Sequence, residues 1–176
     1  MCRCKPNRFS RYIRYIISNS DKCVNPINLI LAKYLLGQTY AELGDTYKAM
    51  EILKLALKKA EKIGDKIGMG NTINGIGVIH GLEGDYDKAL DYYTRSLKIR
   101  EEIGDKLMMA ISLHNIGNIY SRREDDKALD YYTRSLKIVE ELDNKVVIGN
   151  NFISIGGVYY NRGDYDKALD YYTRSL

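Results

Sequence analysis

The sequence predicts an all-α solenoid in which pairs of antiparallel helices repeat along the chain. The main observation is the phrase Asp-Lys-Ala-Leu-Asp-Tyr-Tyr-Thr-Arg-Ser-Leu, which occurs three times, starting at Asp87, Asp126 and Asp166. A weaker copy runs through Lys48 and Ala49. The lysines of the four copies, Lys48, Lys88, Lys127 and Lys167, are spaced by 40, 39 and 40 residues. A fixed period of this size is typical of stacked supersecondary units and not of a single domain built around one active site.

Recurring Gly-Asp pairs predict where the helices end and begin. A glycine can adopt the left-handed conformation that terminates a helix, and the Asp that follows can cap the N–H groups that open the next one. Such pairs separate the repeats and also divide each repeat into a helix A and a helix B. They are Gly44-Asp45, Gly64-Asp65, Gly84-Asp85, Gly104-Asp105 and Gly163-Asp164, with Asn25-Pro26 and Asp143-Asn144 in equivalent positions.

Between these pairs, apolar residues recur with a period near 3.6, which indicates helices and excludes strands. We expect A helices over residues 26–43, 66–82, 106–122 and 145–162. We expect B helices over residues 46–63, 86–103, 125–142 and from 165 to the end. The four repeats then span residues 25–64, 65–104, 105–143 and 144–176, the last one being cut short, as in a piece of a longer array.

Two segments depart from the pattern. In the third repeat, residues 122–126 replace the Gly-Asp-Tyr-Asp turn with one residue fewer, which predicts a distorted turn between its two helices. Residues 1–24 form a basic segment before the first repeat, and within it residues 8–22 fit a lone, degenerate helix B. A targeting peptide and a membrane-surface helix are the alternatives for this segment.

Charge and cysteine content exclude several classes of partner. The net charge is +4, but residues 1–22 carry +5 and the remainder −1, so we expect no nucleic-acid partner for the repeats. No segment stays apolar for the roughly 20 residues of a membrane span, so we expect no membrane partner. Cys2, Cys4 and Cys23 are odd in number, and Cys2-x-Cys4 lacks a second pair of zinc ligands, so we expect free thiols, no metal and a reducing compartment such as the cytoplasm. We also expect no cofactor.

The sequence contains no catalytic constellation, and we expect the chain not to be an enzyme. It has no H-E-x-x-H, Walker or nucleophile-elbow motif. The histidines, His80 and His114, lie in successive A helices, and His80 occupies a packing position. Tyrosines such as Tyr93 and Tyr132 are expected to pack between helices, because a base-stacking platform would also need a basic groove.

Two motifs within the repeats resemble the tetratricopeptide signature. Helix A carries a large apolar residue, Gly, two residues and Tyr or His, as in Leu36-Gly37-x-x-Tyr40, Ile76-Gly77-x-x-His80, Ile116-Gly117-x-x-Tyr120 and Ile155-Gly156-x-x-Tyr159. Helix B carries Ala, three residues and a large side chain, as in Ala49/Leu53, Ala89/Tyr93, Ala128/Tyr132 and Ala168/Tyr172. The small residues let paired helices approach closely, and the large one fills the space beside them. The period of about 40 resembles the long-repeat branch of kinesin light chains, spindle-orientation scaffolds and bacterial peptide-responsive regulators, which implies a right-handed superhelix.

The resemblance also implies that the A helices line a concave groove that holds the ligand. The polar residues at the groove-facing positions are Gln38, Asn71, Asn74, His114, Asn115, Asn118 and Asn150, and Ile153, Ser154 and Gly157 share those positions. Asn is a mediocre helix former, so several within helices call for a reason. They form either a ladder of amides that hydrogen-bonds the backbone of an extended peptide or an ordinary solvated polar surface.

We therefore expect a non-catalytic scaffold that binds a protein or an extended peptide in this groove. The alternative is a sensor or assembly segment of a larger signalling protein, such as a histidine kinase, a nucleotide cyclase or a transcription regulator, whose activity lies outside these residues. A third hypothesis is self-association through the C-terminal repeat, where the sequence shows no polar capping element.

Overall fold

The structure, a computed structural model, describes residues 25–176, and the helix predicted within residues 8–22 lies outside the described residues. The described part folds into eight α-helices and contains no strand. The helices are α1 (Pro26–Glu42), α2 (Thr46–Ile63), α3 (Lys66–Leu82), α4 (Tyr86–Ile103), α5 (Lys106–Tyr120), α6 (Asp125–Glu141), α7 (Lys145–Asn161) and α8 (Tyr165–Arg174). Helices A and B therefore alternate as the repeated phrase predicts.

The Gly-Asp pairs end and begin helices as predicted. Each glycine of these pairs has a positive φ, between 70° and 80°. In the left-handed region glycine avoids the Cβ penalty that other residues meet, so it ends a helix at little cost. The side chain of the following Asp then accepts a hydrogen bond from the backbone N–H three residues later, as at Asp45, Asp65, Asp105 and Asp164. Such a cap typically contributes about 1 kcal/mol to helix stability.

At the start of three B helices, the lysine of the repeated phrase also pairs with the capping Asp. Its ammonium group lies 2.6 to 2.7 Å from the second carboxylate oxygen of the capping Asp. The side-chain hydrogen bond from Lys88 lowers the pKa of Asp85, and the other two pairs show the same effect. The three pairs are Lys48–Asp45, Lys88–Asp85 and Lys167–Asp164. The lysine of the repeated phrase thus helps to stabilise the N-terminus of helix B.

The third repeat has a different turn, because it lacks the glycine. Helix α5 ends at Tyr120, and α6 starts after Glu124, whose backbone is extended (φ −147°) and whose side chain makes no capping hydrogen bond. No residue in this turn has a positive φ. Glu124 instead pairs with Lys127 at 2.9 Å. From the next repeat, Arg162 pairs with Asp125 and Asp126 of α6, at 3.2 and 2.8 Å.

The described residues form two compact units, 25–92 and 93–176, with the boundary inside α4. In the described part of the first unit, a core of Ala49, Leu53, Ile76 and Ile79 joins α2 to α3. In the second unit, an equivalent core joins α6 to α7 and consists of Ala128, Tyr132, Ile155 and Val158. Each core thus lies between helix B of one repeat and helix A of the next.

The glycine in the helix A motif is required by the large side chain of helix B. A Cβ atom added to Gly117 would lie 2.6 Å from Cε1 of Tyr132. One added to Gly37 would lie 2.7 Å from Cγ of Leu53. Such distances are closer than packed carbon atoms tolerate. This is the steric relationship that the sequence motifs predict.

The aromatic residue that ends the helix A motif stacks on helix B of the same repeat. Tyr120 stacks on Tyr131 with ring centroids 5.4 Å apart, and His80 stacks on Tyr92 at 5.3 Å. His80 is half-buried in this contact. It is therefore a packing residue, as its place in the motif predicts.

Candidate functional site

The amide side chains that the family resemblance implies for a groove lie on the A helices and differ in exposure. Gln38, Asn118 and Asn150 are exposed, whereas Asn71, His114 and Asn115 are half-buried. Asn74 is only 6% exposed and so has little surface to offer a ligand. Three exposed amides, one in the first unit and two in the second, are thus the strongest candidates for direct ligand contact.

The non-amide positions of the same series differ among themselves. Ile153 is 51% exposed, whereas Ser154 and Gly157 are half-buried. In the second unit the predicted surface on α7 therefore includes an apolar side chain beside the exposed amide of Asn150.

Beneath this surface in the second unit lies a polar network that the sequence analysis missed. Asn151 is fully buried, and its Nδ2 donates to the Ser135 hydroxyl at 3.1 Å and to the Val147 carbonyl at 2.9 Å. The Ser135 hydroxyl in turn donates to the carbonyl of Ala110 at 2.8 Å. The network therefore links helices α5, α6 and α7.

A signal for this network is present in the sequence at one position of the repeat. Asn151 lies five residues before the glycine of the helix A motif. The other repeats carry Ala32, Thr72 and Ser112 at this position. All four are buried and none is large and apolar. Small or polar residues at a buried, repeated position indicate a contact between helices, and Asn there predicts a hydrogen bond inside the packing.

His114 caps this network from the surface side. Its Nδ1 lies 3.1 Å from Oδ1 of Asn151. Because Nδ2 of Asn151 already donates two hydrogen bonds, Oδ1 is the acceptor and His114 Nδ1 carries the proton. Burial lowers the pKa of His114, and the hydrogen bond to Asn151 opposes this effect in part. His114, a predicted ligand-binding residue, is thus a half-buried packing residue hydrogen-bonded to Asn151.

Asn118 also has a partner within the chain. The hydroxyl of Tyr132 donates to Oδ1 of Asn118 at 2.8 Å. Burial raises the pKa of Tyr132, and hydrogen bonds with Ser121 and Ser154 oppose that effect. The tyrosine ring therefore fills the space between α5 and α7, and its hydroxyl reaches polar groups on both helices.

In the first unit, the corresponding place between α1 and α3 is an open cleft of about 400 Å³. Its lining is mainly apolar, with the amide of Gln38 and the carboxylate of Glu42 as its polar side chains. The residues around it are Gly37, Gln38, Ala41, Glu42, Leu53, Gly75, Val78, Ile79 and Leu82. A cleft of this volume falls within the range of ligand-binding pockets.

A second cleft, of about 170 Å³, lies between the N-terminal halves of α1 and α3. Asn71 lies at its edge, with Tyr34 and the exposed side chains of Ile27, Leu31 and Ile67. This places Asn71 next to apolar surface rather than in an isolated polar position.

Among the described residues there is neither a metal-ligand cluster nor a membrane-spanning helix. Within residues 25–176, no three His, Cys, Asp or Glu side chains converge as metal ligands would. None of the helices in that range is long and apolar enough to cross a bilayer.

Comparison with known proteins identifies the repeat type. The family model described as tetratricopeptide repeat matches residues 29–102 and 108–176. A comparison with curated protein sequences gives no match.

Solved structures of similar fold include three with informative descriptions. BtubC (BKLC) from P. vanneervenii is 24% identical, with a TM-score of 0.78 over 94% of this chain and 69% of that one. A Rap protein complexed with competence and sporulation factor is 20% identical, with a TM-score of 0.85 over 94% of this chain and 47% of that one. A signal transduction ATPase with a tetratricopeptide repeat sensor from Pyrococcus horikoshii is 23% identical, with a TM-score of 0.79 over 95% and 26%. The chain thus spans about half of the Rap protein and a quarter of the ATPase.

Proposed function

This chain belongs to the tetratricopeptide repeat family, and we propose on that basis that it is a non-catalytic interaction module that binds an extended peptide or a partner protein along its A helices. The observation that carries the proposal is that each unit exposes amides on its A helices, Gln38 in the first unit and Asn118 and Asn150 in the second. A primary amide both donates and accepts hydrogen bonds, so it matches the peptide group of an extended ligand.

The fold neighbours support a peptide ligand. The Rap protein of similar fold was crystallised in complex with competence and sporulation factor. A surface of amides with neighbouring apolar side chains suits backbone recognition combined with side-chain pockets, which is how extended peptides are commonly bound.

A peptide-display selection against the purified chain, followed by alanine variants, tests the proposal. Gln38→Ala and Asn150→Ala should each weaken binding of a selected peptide about 5- to 30-fold, as expected for a lost hydrogen bond of 1 to 2 kcal/mol. Thr133→Ala on helix B, also at an exposed position, is the matched control and should leave affinity unchanged. If both amide variants bind like the parent chain while circular dichroism shows intact helices, the amide surface is not the binding site.

A second candidate function is that of a sensor segment within a larger signalling protein. The observation in its favour is the similarity to a signal transduction ATPase that carries a tetratricopeptide repeat sensor. In this second candidate function, the repeats of this chain would bind the signal, and a separate domain of the same protein would give the response. Sequencing the gene on both sides of these residues tests this: a catalytic or DNA-binding domain in the same reading frame supports it, and an open reading frame without one removes it.

A further inference from the structure

We infer that the cleft between α1 and α3 is a recognition pocket for one tyrosine side chain of the bound partner. The inference rests on the proposed binding function and specifies one side chain that the module recognises. It comes from a difference between two repeats that are otherwise built alike. The large side chain of helix B is Leu53 in the first repeat, whereas it is Tyr93, Tyr132 and Tyr172 in the other three.

The second unit shows what fills this place when the residue is tyrosine. The ring of Tyr132 lies against Gly117, where an added Cβ would come within 2.6 Å of it. Its hydroxyl donates to Asn118 at 2.8 Å. In the first unit, Leu53 lies against Gly37 in the same way but has no ring and no hydroxyl, and a cleft of about 400 Å³ remains.

The groups that surround the tyrosine in the second unit have counterparts around the empty cleft. Gln38 occupies the repeat position of Asn118, so an amide acceptor again lies at the mouth. Gly75 occupies the position of Ser154, which in the second unit hydrogen-bonds Tyr132. The glycine places no side chain in the cleft, and an added Cβ would already lie only 3.3 Å from Leu53, a tight contact. The cleft therefore keeps the acceptor and lacks the ring that would use it.

The walls of the cleft favour an aromatic guest with a polar end. Leu53 and Ile79 are buried at its floor, and the side chain of Leu82, 62% exposed, stands at its mouth. A phenol buries a large apolar face while its hydroxyl needs one partner, which Gln38 supplies. Glu42, also at the mouth, disfavours an acidic residue next to the tyrosine and favours a basic one.

The direct test uses 4-methylphenol, the side-chain analogue of tyrosine, titrated into the isotope-labelled chain and followed by NMR. We expect saturable shifts of the amides of residues 37–42 and 75–82, with a Kd on the order of 1 mM for so small a ligand. Leu53→Tyr should abolish these shifts, because the side chain of the chain itself then fills the cleft. Tyr is compatible with this position in three other repeats, and a melting curve confirms that the variant is folded.

The reverse substitution supplies a matched gain of binding. Tyr132→Leu opens the equivalent space between α5 and α7, and it should create a second site whose shifts appear around Asn118 and Ser154. Gln38→Leu should weaken 4-methylphenol about 5-fold and leave toluene unchanged, since only the phenol uses the acceptor. Equal shifts in Leu53→Tyr and the parent chain would overturn the inference. So would tighter binding of toluene, the analogue of the phenylalanine side chain, than of 4-methylphenol.

The selection experiment separates this inference from the proposed function. Selected peptides that contain a tyrosine and lose at least 10-fold in affinity with Leu53→Tyr support both. Selected peptides that bind through the amide surface but are indifferent to Leu53→Tyr contradict the pocket and leave the binding function standing. Specific binding of 4-methylphenol with no peptide or protein ligand would support the pocket while removing its proposed role in partner binding.

Discussion

Asn150 and Asn151 are adjacent in α7 and have opposite environments: the first is exposed, and the second is fully buried with hydrogen bonds to Ser135, Val147 and His114. One residue of helix corresponds to a rotation of about 100°, which is enough to move a side chain from the surface into the contact between helices. The same residue type thus serves two purposes side by side.

The contact between Tyr132 and Asn118 leads to a prediction about stability. Tyr132→Phe keeps the ring but removes the hydroxyl that donates to Asn118 at 2.8 Å. We expect the free energy of unfolding to fall by about 1 kcal/mol, as for an ordinary lost hydrogen bond. Urea denaturation measures this, with Tyr47→Phe, at a tyrosine that is 80% exposed, as the control. Equal stability of the two variants would show that the Tyr132 hydroxyl contributes nothing net.

Two glycines on A helices should respond to the same substitution with opposite signs. In Gly117→Ala the new methyl group meets the Tyr132 ring at 2.6 Å, and we expect a loss of about 1 to 3 kcal/mol from overpacking. In Gly157→Ala the nearest atom is the hydroxyl oxygen of Tyr172 at 3.8 Å, so the gain in helix propensity dominates and stability should rise by about 0.5 to 1 kcal/mol. Thermal melts of both variants decide the matter; a stabilised Gly117→Ala would contradict the packing described here.

Some of this structure could be predicted from the sequence, and the rest could not, for identifiable reasons. Gly-Asp pairs act locally, so Gly64 and Asp65 mark a helix boundary without reference to the rest of the fold. The burial of Asn74 depends on the sizes of its neighbours, and Ile153 at the same repeat position is 51% exposed. The cleft beside Leu53 likewise depends on the residues that surround it, and only the comparison with Tyr132 in the second unit shows that a tyrosine ring is missing there.

His114 should make stability depend on pH. Burial holds its pKa below the ordinary value of 6.5, so near and below that value the unfolded chain binds more protons than the folded one. The stability that the neutral His114 gives to the folded state is therefore fully present above pH 6.5. It is lost as the pH falls from 6.5 through the folded-state pKa. We expect the free energy of unfolding, measured with urea between pH 7.5 and 5.5, to fall more steeply in the parent chain than in His114→Gln. Parallel pH profiles would mean that His114 is protonated equally in both states.

The adjacent asparagines of α7 allow a separation of stability from binding. Asn151→Ala removes a fully buried side chain, leaves His114 Nδ1 without its acceptor and takes one hydrogen bond each from the Ser135 hydroxyl and the Val147 carbonyl. Each buried polar group left unpaired costs about 1 to 3 kcal/mol, so we expect a total loss of about 2 to 4 kcal/mol after partial relaxation. Asn150→Ala removes an exposed amide and should change stability by less than about 0.5 kcal/mol.

The same two variants should have the reverse order in ligand binding. At a temperature where both are folded, Asn150→Ala should weaken a selected peptide about 5- to 30-fold, because its amide is lost from the surface that the ligand contacts. Asn151→Ala should retain most of the affinity, since its amide lies beneath that surface and faces other helices. Urea denaturation and titration calorimetry on one preparation of each variant give both quantities. The opposite result, in which Asn151→Ala abolishes binding and Asn150→Ala does not, would contradict this prediction. Binding would then depend on the packing of α5, α6 and α7, and the exposed amide of α7 would take no part.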